Sequence, residues 1–155
     1  MNALLAIKPE FARKILSGEK SYEFRRTTFK DATAVDFIYL YSSSPEKRIV
    51  GGFVSDRVVE GRPENLWELF GDTSGIEDRD RFMDYFDGTE TGYAIQIDRA
   101  YEFDEPVDPK EVFDDFVPPV SFNYLGEDRS QVLRRYVTES VTSSREVPLP
   151  HFADD

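Results

Sequence analysis

The chain has 155 residues, about the size of one compact domain, and 39% of them are apolar. Its 22 Phe, Tyr and Trp residues suffice for one aromatic core, which excludes global disorder. It has no cysteine and a net charge of −12, which excludes disulfides, thiolate nucleophiles and Cys-based zinc sites.

In chain order, Ala3–Ile7 is a short apolar run before Lys8-Pro9 and reads as a buried strand ending at a turn. Pro9 suits the first turn of a helix. Phe11, Ala12, Ile15 and Leu16 then recur at helical spacing, and Gly18 is the expected left-handed stop. Ser21–Arg26 alternates as a strand, with Tyr22 and Phe24 on one face and Glu23 and Arg25 on the other. Val35–Tyr41 is a second strand, closed by a turn at Ser42-Ser43-Ser44-Pro45. Ile49–Val59 is a third, with Gly51-Gly52 marking a bulge or a close backbone approach.

Pro63–Phe70 and Ile76–Phe86 read as short helices, the second with acidic residues in its first turn. Gly92–Phe103 returns to strand alternation, with Tyr93, Ile95 and Ile97 facing one way. Prolines at 106, 109, 118 and 119 interrupt the chain beyond it and leave a one-turn helix near Lys110–Phe113. A last helix is expected over Ser130–Val141, where Val132, Leu133, Tyr136 and Val137 share a side. Short strands interrupted by helices, without a regular strand–helix repeat, predict an α+β, mainly β chain: a small, partly open β-barrel with peripheral short helices.

Charge is distributed unevenly. Residues 1–50 carry a balance of +3 and residues 51–155 one of −15; Lys8–Lys30 holds seven basic residues against three acidic. A basic patch on an acidic protein is a site for an anion or simply a surface helix. The acidic, lysine-poor surface fits a protein of a high-salt, halophile cytoplasm or an ordinary acidic cytosolic one. No apolar run reaches membrane-spanning length and no signal peptide opens the chain, so a cytoplasmic location without membrane partners is expected.

The chemistry concentrates in Gly18–Arg25, GEKSYEFR. Gly18 lets the chain turn sharply into the strand. Lys20 is expected in the turn, where a long cation reaches over a cleft. Glu23 and Arg25, two apart, project from one strand face roughly 7 Å apart. A carboxylate beside a guanidinium fork recognises a base edge together with a phosphate or carboxylate. Lys8 would complete a cluster of three cations, which keeps Glu23 ionised and an acceptor. The alternative is a salt-bridged strand face with no ligand.

The segment resembles the G-x-K-x-x-E-x-R signature of the ASCH family, a branch of the PUA-like superfamily, at all four defined positions. LLAIKPEFARKILSGEKSYEFRR, IYLYSSSPEKRIVGGF, GYAIQI and PPVSFNYL carry the likeness onward in order. The resemblance implies an ASCH (PUA-like) domain over residues 1–125, a C-terminal helix over 126–142 packed on it, and a flexible tail over 143–155. It implies a module that binds RNA, single-stranded nucleic acid or a modified nucleoside, with a role in regulating transcription or translation.

On that reading Lys8, Lys20, Arg25 and Arg26 supply positive charge and Glu23 reads a donor. Arg26 is otherwise a solvent-facing partner of Glu19. Ser42, Ser43 and Ser44 either offer hydroxyls and N–H groups to a phosphate or form a plain hairpin turn. Ser121, Phe122 and Tyr124 either supply a hydroxyl and stacking rings or belong to a strap that buries its aromatics. The resemblance also implies an alternative, a small amidohydrolase or nuclease with Lys20 catalytic, assisted by Glu23. The amidohydrolases, however, have threonine where this chain has Glu23. No cofactor and no metal are expected. The single histidine, His151, lies in the tail, and Glu77–Asp87 lacks the spacing and glycine of a calcium loop, so it reads as a solvated helix face.

Overall fold

The computed structural model describes residues 1–30 and 34–144. The expected flexible tail beyond residue 144, and His151 with it, lies outside the described residues. In order the elements are β1 (Asn2–Ile7), α1 (Pro9–Leu16), β2 (Tyr22–Arg25), β3 (Phe37–Ser42), β4 (Arg48–Val54), β5 (Val58–Gly61) and α2 (Pro63–Phe70). A 3-10 turn (Gly71–Thr73) leads to α3 (Arg79–Tyr85), β6 (Gly92–Gln96), β7 (Arg99–Val107), α4 (Pro109–Val112), β8 (Phe122–Leu125) and α5 (Glu127–Ser144).

Five strands form a mixed sheet in the order β7-β4-β3-β1-β8, in which only β1 and β3 run parallel. The antiparallel trio β2-β6-β5 forms a second sheet. Among the described residues no ladder joins the two sheets, so the strands form an open α+β arrangement rather than a closed barrel.

The continuous apolar text of β1 and β3 has a packing cause: the five-stranded sheet is covered on both faces. Ala3, Leu5, Ile7, Ile38 and Leu40 point into a core shared with Ile15 of α1 and Ile95 of the second sheet. Leu4, Tyr39, Tyr41 and Ile49 point the other way, onto Phe103, Val107 and Leu133 of α5. A third core joins Phe24 and Ala94 to Leu66, Phe82 and Phe86 beneath α2 and α3.

Local signals worked where chemistry was local. Gly18 follows α1 with a φ of 87° and its N–H reaches the Ile15 carbonyl at 3.2 Å, as a left-handed helix stop requires. At Gly52 an added Cβ would meet the Phe37 ring and come within 2.6 Å of the Ile38 carbonyl oxygen. The β3–β4 register shifts beside it, so both a bulge and a close approach are present.

Six expectations change. Ile49–Val59 is two strands in different sheets, separated at Ser55-Asp56-Arg57. Gly92–Phe103 is likewise two, separated at Ile97-Asp98. The two crossovers lie side by side, bonded from Asp98 N to Val54 O at 3.0 Å and from Gln96 N to Arg57 O at 3.0 Å. Alternation runs through the second break, so periodicity gives no warning there, whereas the first falls on three consecutive polar residues that interrupt the apolar text.

Pro106 lies within β7, because that strand is an edge and its register with β4 slips between Ile49 and Gly51. β8 has no counterpart among the expected strands; four residues behind two prolines give too short a pattern. Helix α3 starts later than the sequence suggests, at Arg79, because the Asp78 carboxylate caps it by accepting from Asp80 N at 2.9 Å. Helix α5 is longer than expected and starts at Glu127.

Candidate functional site

The C-terminal ends of the parallel pair β1 and β3 meet β2, α1 and α3 around a cleft of about 730 Å³. Its lining includes Lys8, Lys20, Glu23, Arg25, Ser43 and Ser44 from the expected site. Glu23 and Arg25 are buried for a register reason. Glu23 stands opposite Ile95 and Arg25 opposite Tyr93, so both share the inward face of the second sheet. Phe24 takes the other face, into the core under α2 and α3.

Glu23 bridges two cations. Its Oε2 accepts from Arg25 Nε at 2.8 Å and its Oε1 lies 3.3 Å from Lys20 Nζ. Lys20 does not reach over the cleft as expected; it lies beneath it, only 2% exposed. The Phe11 and Phe24 rings hold its ammonium at 5.2 and 5.7 Å, and it donates to the Ser74 carbonyl. Burial pushes the Lys20 pKa down, against the pull of Glu23, with Arg25 and Lys14 adding to the depression.

Arg25 spans the floor. Its Nη2 donates to the Ala6 carbonyl at 2.7 Å, while Nη1 reaches Ser121 Oγ only at 3.5 Å. One face of the fork is therefore committed to the protein and the other has weak protein company. Lys8 caps α1 through its backbone and lies on the exposed rim; the ion-pair partners of Glu23 are Lys20 and Arg25, two cations where three were expected.

The remaining expected residues separate. Arg26 is exposed and donates to Thr89 Oγ1 at 3.0 Å, neither lining the cleft nor pairing with Glu19. Ser42 belongs to β3, wholly buried, with an unpartnered hydroxyl. The Ser43 N–H is spent on the Ile7 carbonyl at 2.8 Å, so the turn keeps no free nest there. Ser121 touches the site only through Arg25. Phe122 packs edge-on against Phe29 at 4.8 Å, and the Tyr124 hydroxyl accepts from Lys30 N at 3.1 Å, both outside the cleft lining.

The structure adds lining residues that the motif did not signal: Phe11, Tyr41, Lys47, Arg81, Tyr85 and the Pro118–Val120 segment. Arg81 and Tyr85 stand one helical turn apart on α3, a spacing legible in the sequence but indistinguishable there from a solvated face. Arg81 pairs with Glu10 at 2.7 Å and stacks over Phe11 at 4.9 Å. Lys47 has a φ of 54°, unusual for a residue with a side chain. Among the described residues no group of three His, Cys, Asp or Glu side chains is placed to hold a metal ion.

Two sheets with short peripheral helices, and a cleft floored by the Lys-Glu-Arg motif, define an ASCH domain of the PUA-like type. The crystal structure of the ASCH protein from Zymomonas mobilis matches with a TM-score of 0.78 at 30% identity, covering 86% of this chain and 94% of that one. A serine-to-alanine variant of that protein matches with a TM-score of 0.79 at 29% identity and the same coverage. In sequence, an ASCH domain-containing ribonuclease of Zymomonas mobilis is 31% identical over 134 residues, 84% of this chain and 88% of that protein. No family model matches. The chain belongs to the ASCH domain family.

Proposed function

We propose that the cleft binds a segment of single-stranded RNA and that the protein cleaves it. The observation that carries this is the buried Lys20–Glu23–Arg25 chain beneath an open cleft, which aims one under-used guanidinium edge at incoming anions. Lys8, Lys47 and Arg81 at the exposed rim add charge for a phosphate backbone. The relative named a ribonuclease spans most of the chain and supports cleavage over mere holding. Arg25 is the group placed to bear charge developing on a phosphodiester under attack.

RNA held without cleavage would instead serve regulation of transcription or translation. A hydrolase of acylated nucleosides through Lys20 is the second reading, favoured by the depressed pKa of that amine. End-labelled single-stranded RNA and an acylated nucleoside, each incubated with wild type and Arg25→Ala, separate the three. The RNA is expected to be cut, and Arg25→Ala to slow cutting by about 100-fold or more. Binding without cutting leaves a regulator, and turnover of the nucleoside alone leaves the hydrolase.

A further inference from the structure

The cleft has an apolar part that its ion pairs do not use. Val117–Val120 leads into β8 through two consecutive prolines, which fix φ and remove N–H donors. Pro119 is buried, and Ala6 N donates to the Ser121 carbonyl at 2.8 Å, so the strap is pinned to β1 immediately after Val120. Yet Val120 is 103% and Val117 71% exposed. A stiff segment without N–H groups at residues 118 and 119 offers the cleft aliphatic surface there.

Tyr85 is complementary. Its ring packs edge-on against Phe86 at 4.9 Å and is 43% exposed. Burial raises the pKa of its hydroxyl, with the nearby Arg26 backbone opposing the rise. One edge of the ring is packed and part of it stays open. Isolated apolar side chains at a surface need no explanation, but Tyr85 and Val120 line the same cleft as Lys8, Lys47 and Arg81.

Resting on the RNA reading above, we infer that the Pro118–Val120 strap and the Tyr85 ring form a nucleobase subsite, so that the cleft selects single-stranded RNA with an unstacked base. A duplex keeps its bases stacked and presents no free base face to such a subsite. Phosphate contacts position the strand, and the apolar walls reward the base.

The test compares a labelled 2′-O-methyl oligouridine, which cannot be cut through its 2′ oxygen, with the same strand lacking bases. Fluorescence anisotropy is read with wild type, Tyr85→Ala and Val120→Ser. Wild type is expected to prefer the base-bearing strand by at least about fivefold. Each variant should lose much of that margin while binding the abasic strand as wild type does. Val120 has no core contact to lose, so Val120→Ser carries the test should Tyr85→Ala fail to fold. Equal binding of both strands by wild type, or an unchanged margin in the folded variants, overturns the subsite. If wild type binds neither strand, the RNA reading fails and the subsite falls with it.

Discussion

At the scale of single residues, Lys20 and Glu23 are unequal partners. The Lys20 pKa is lowered because burial outweighs its pairing with Glu23. Replacing the lysine with methionine keeps its stem between Phe11 and Phe24 and leaves Glu23 with Arg25. Lys20→Met should therefore stay within about 1 kcal/mol of wild type, whereas Glu23→Gln, which strands buried cations, should cost about 3–5 kcal/mol. A base whose folded-state pKa lies below its unfolded value holds fewer protons folded than unfolded, so its contribution grows as pH rises between the two. Wild type should gain on Lys20→Met between about pH 7 and pH 10. Urea unfolding at both pH values checks this, and the reverse ordering of the two variants would sink it. Lys20 is also where sequence reading stops short: the motif names the ammonium, but the rings that bury it come from α1 and β2 together.

At the scale of elements, the two crossovers between sheets place Asp56 beside Asp98. Asp56 N donates to Asp98 Oδ2 at 2.8 Å. Desolvation first, then the side-chain hydrogen bond and charge of Asp56, push Asp98 up to about 6, with the Asp56 N–H and Arg99 opposing. A carboxyl with a raised folded-state pKa stabilises fully below its unfolded value and loses that contribution as pH rises through about 6. The Asp98→Asn variant, which keeps an acceptor for Asp56 N, should melt above wild type at pH 8 and level with it at pH 4. Asp98 reaches the surface, so screening keeps the gain small. Equal melting curves at pH 8 would dismiss the repulsion. Neither aspartate is marked in the sequence as a partner of the other, since their pairing depends on two crossovers that meet only in the folded chain.

At the scale of the molecule, a net charge of −12 coexists with a cleft rimmed by Lys8, Lys47 and Arg81. Added salt screens the self-repulsion and also weakens phosphate contacts. The melting temperature should rise between about 50 mM and 1 M NaCl while RNA affinity falls. With Lys8, Lys47, Arg81 and Arg25 as the phosphate contacts, log affinity against log salt should slope at about −3. A markedly steeper slope would mean that strand contacts extend well beyond this cleft.

The sequence by itself determined the pieces: the first helix with its glycine stop, the double-faced apolar strands, the ASCH signature and the α+β class. Each rests on chemistry within a few residues, where backbone preference and side-chain period act directly. The tertiary structure alone decided which face of β2 turns inward, that Lys20 lies under rather than over the cleft, and that α3 and the Pro118–Val120 strap join the lining. Those outcomes depend on contacts between segments distant in the chain, and burial, which sets the charge state of Lys20 and the company of Arg25, exists only once those segments meet.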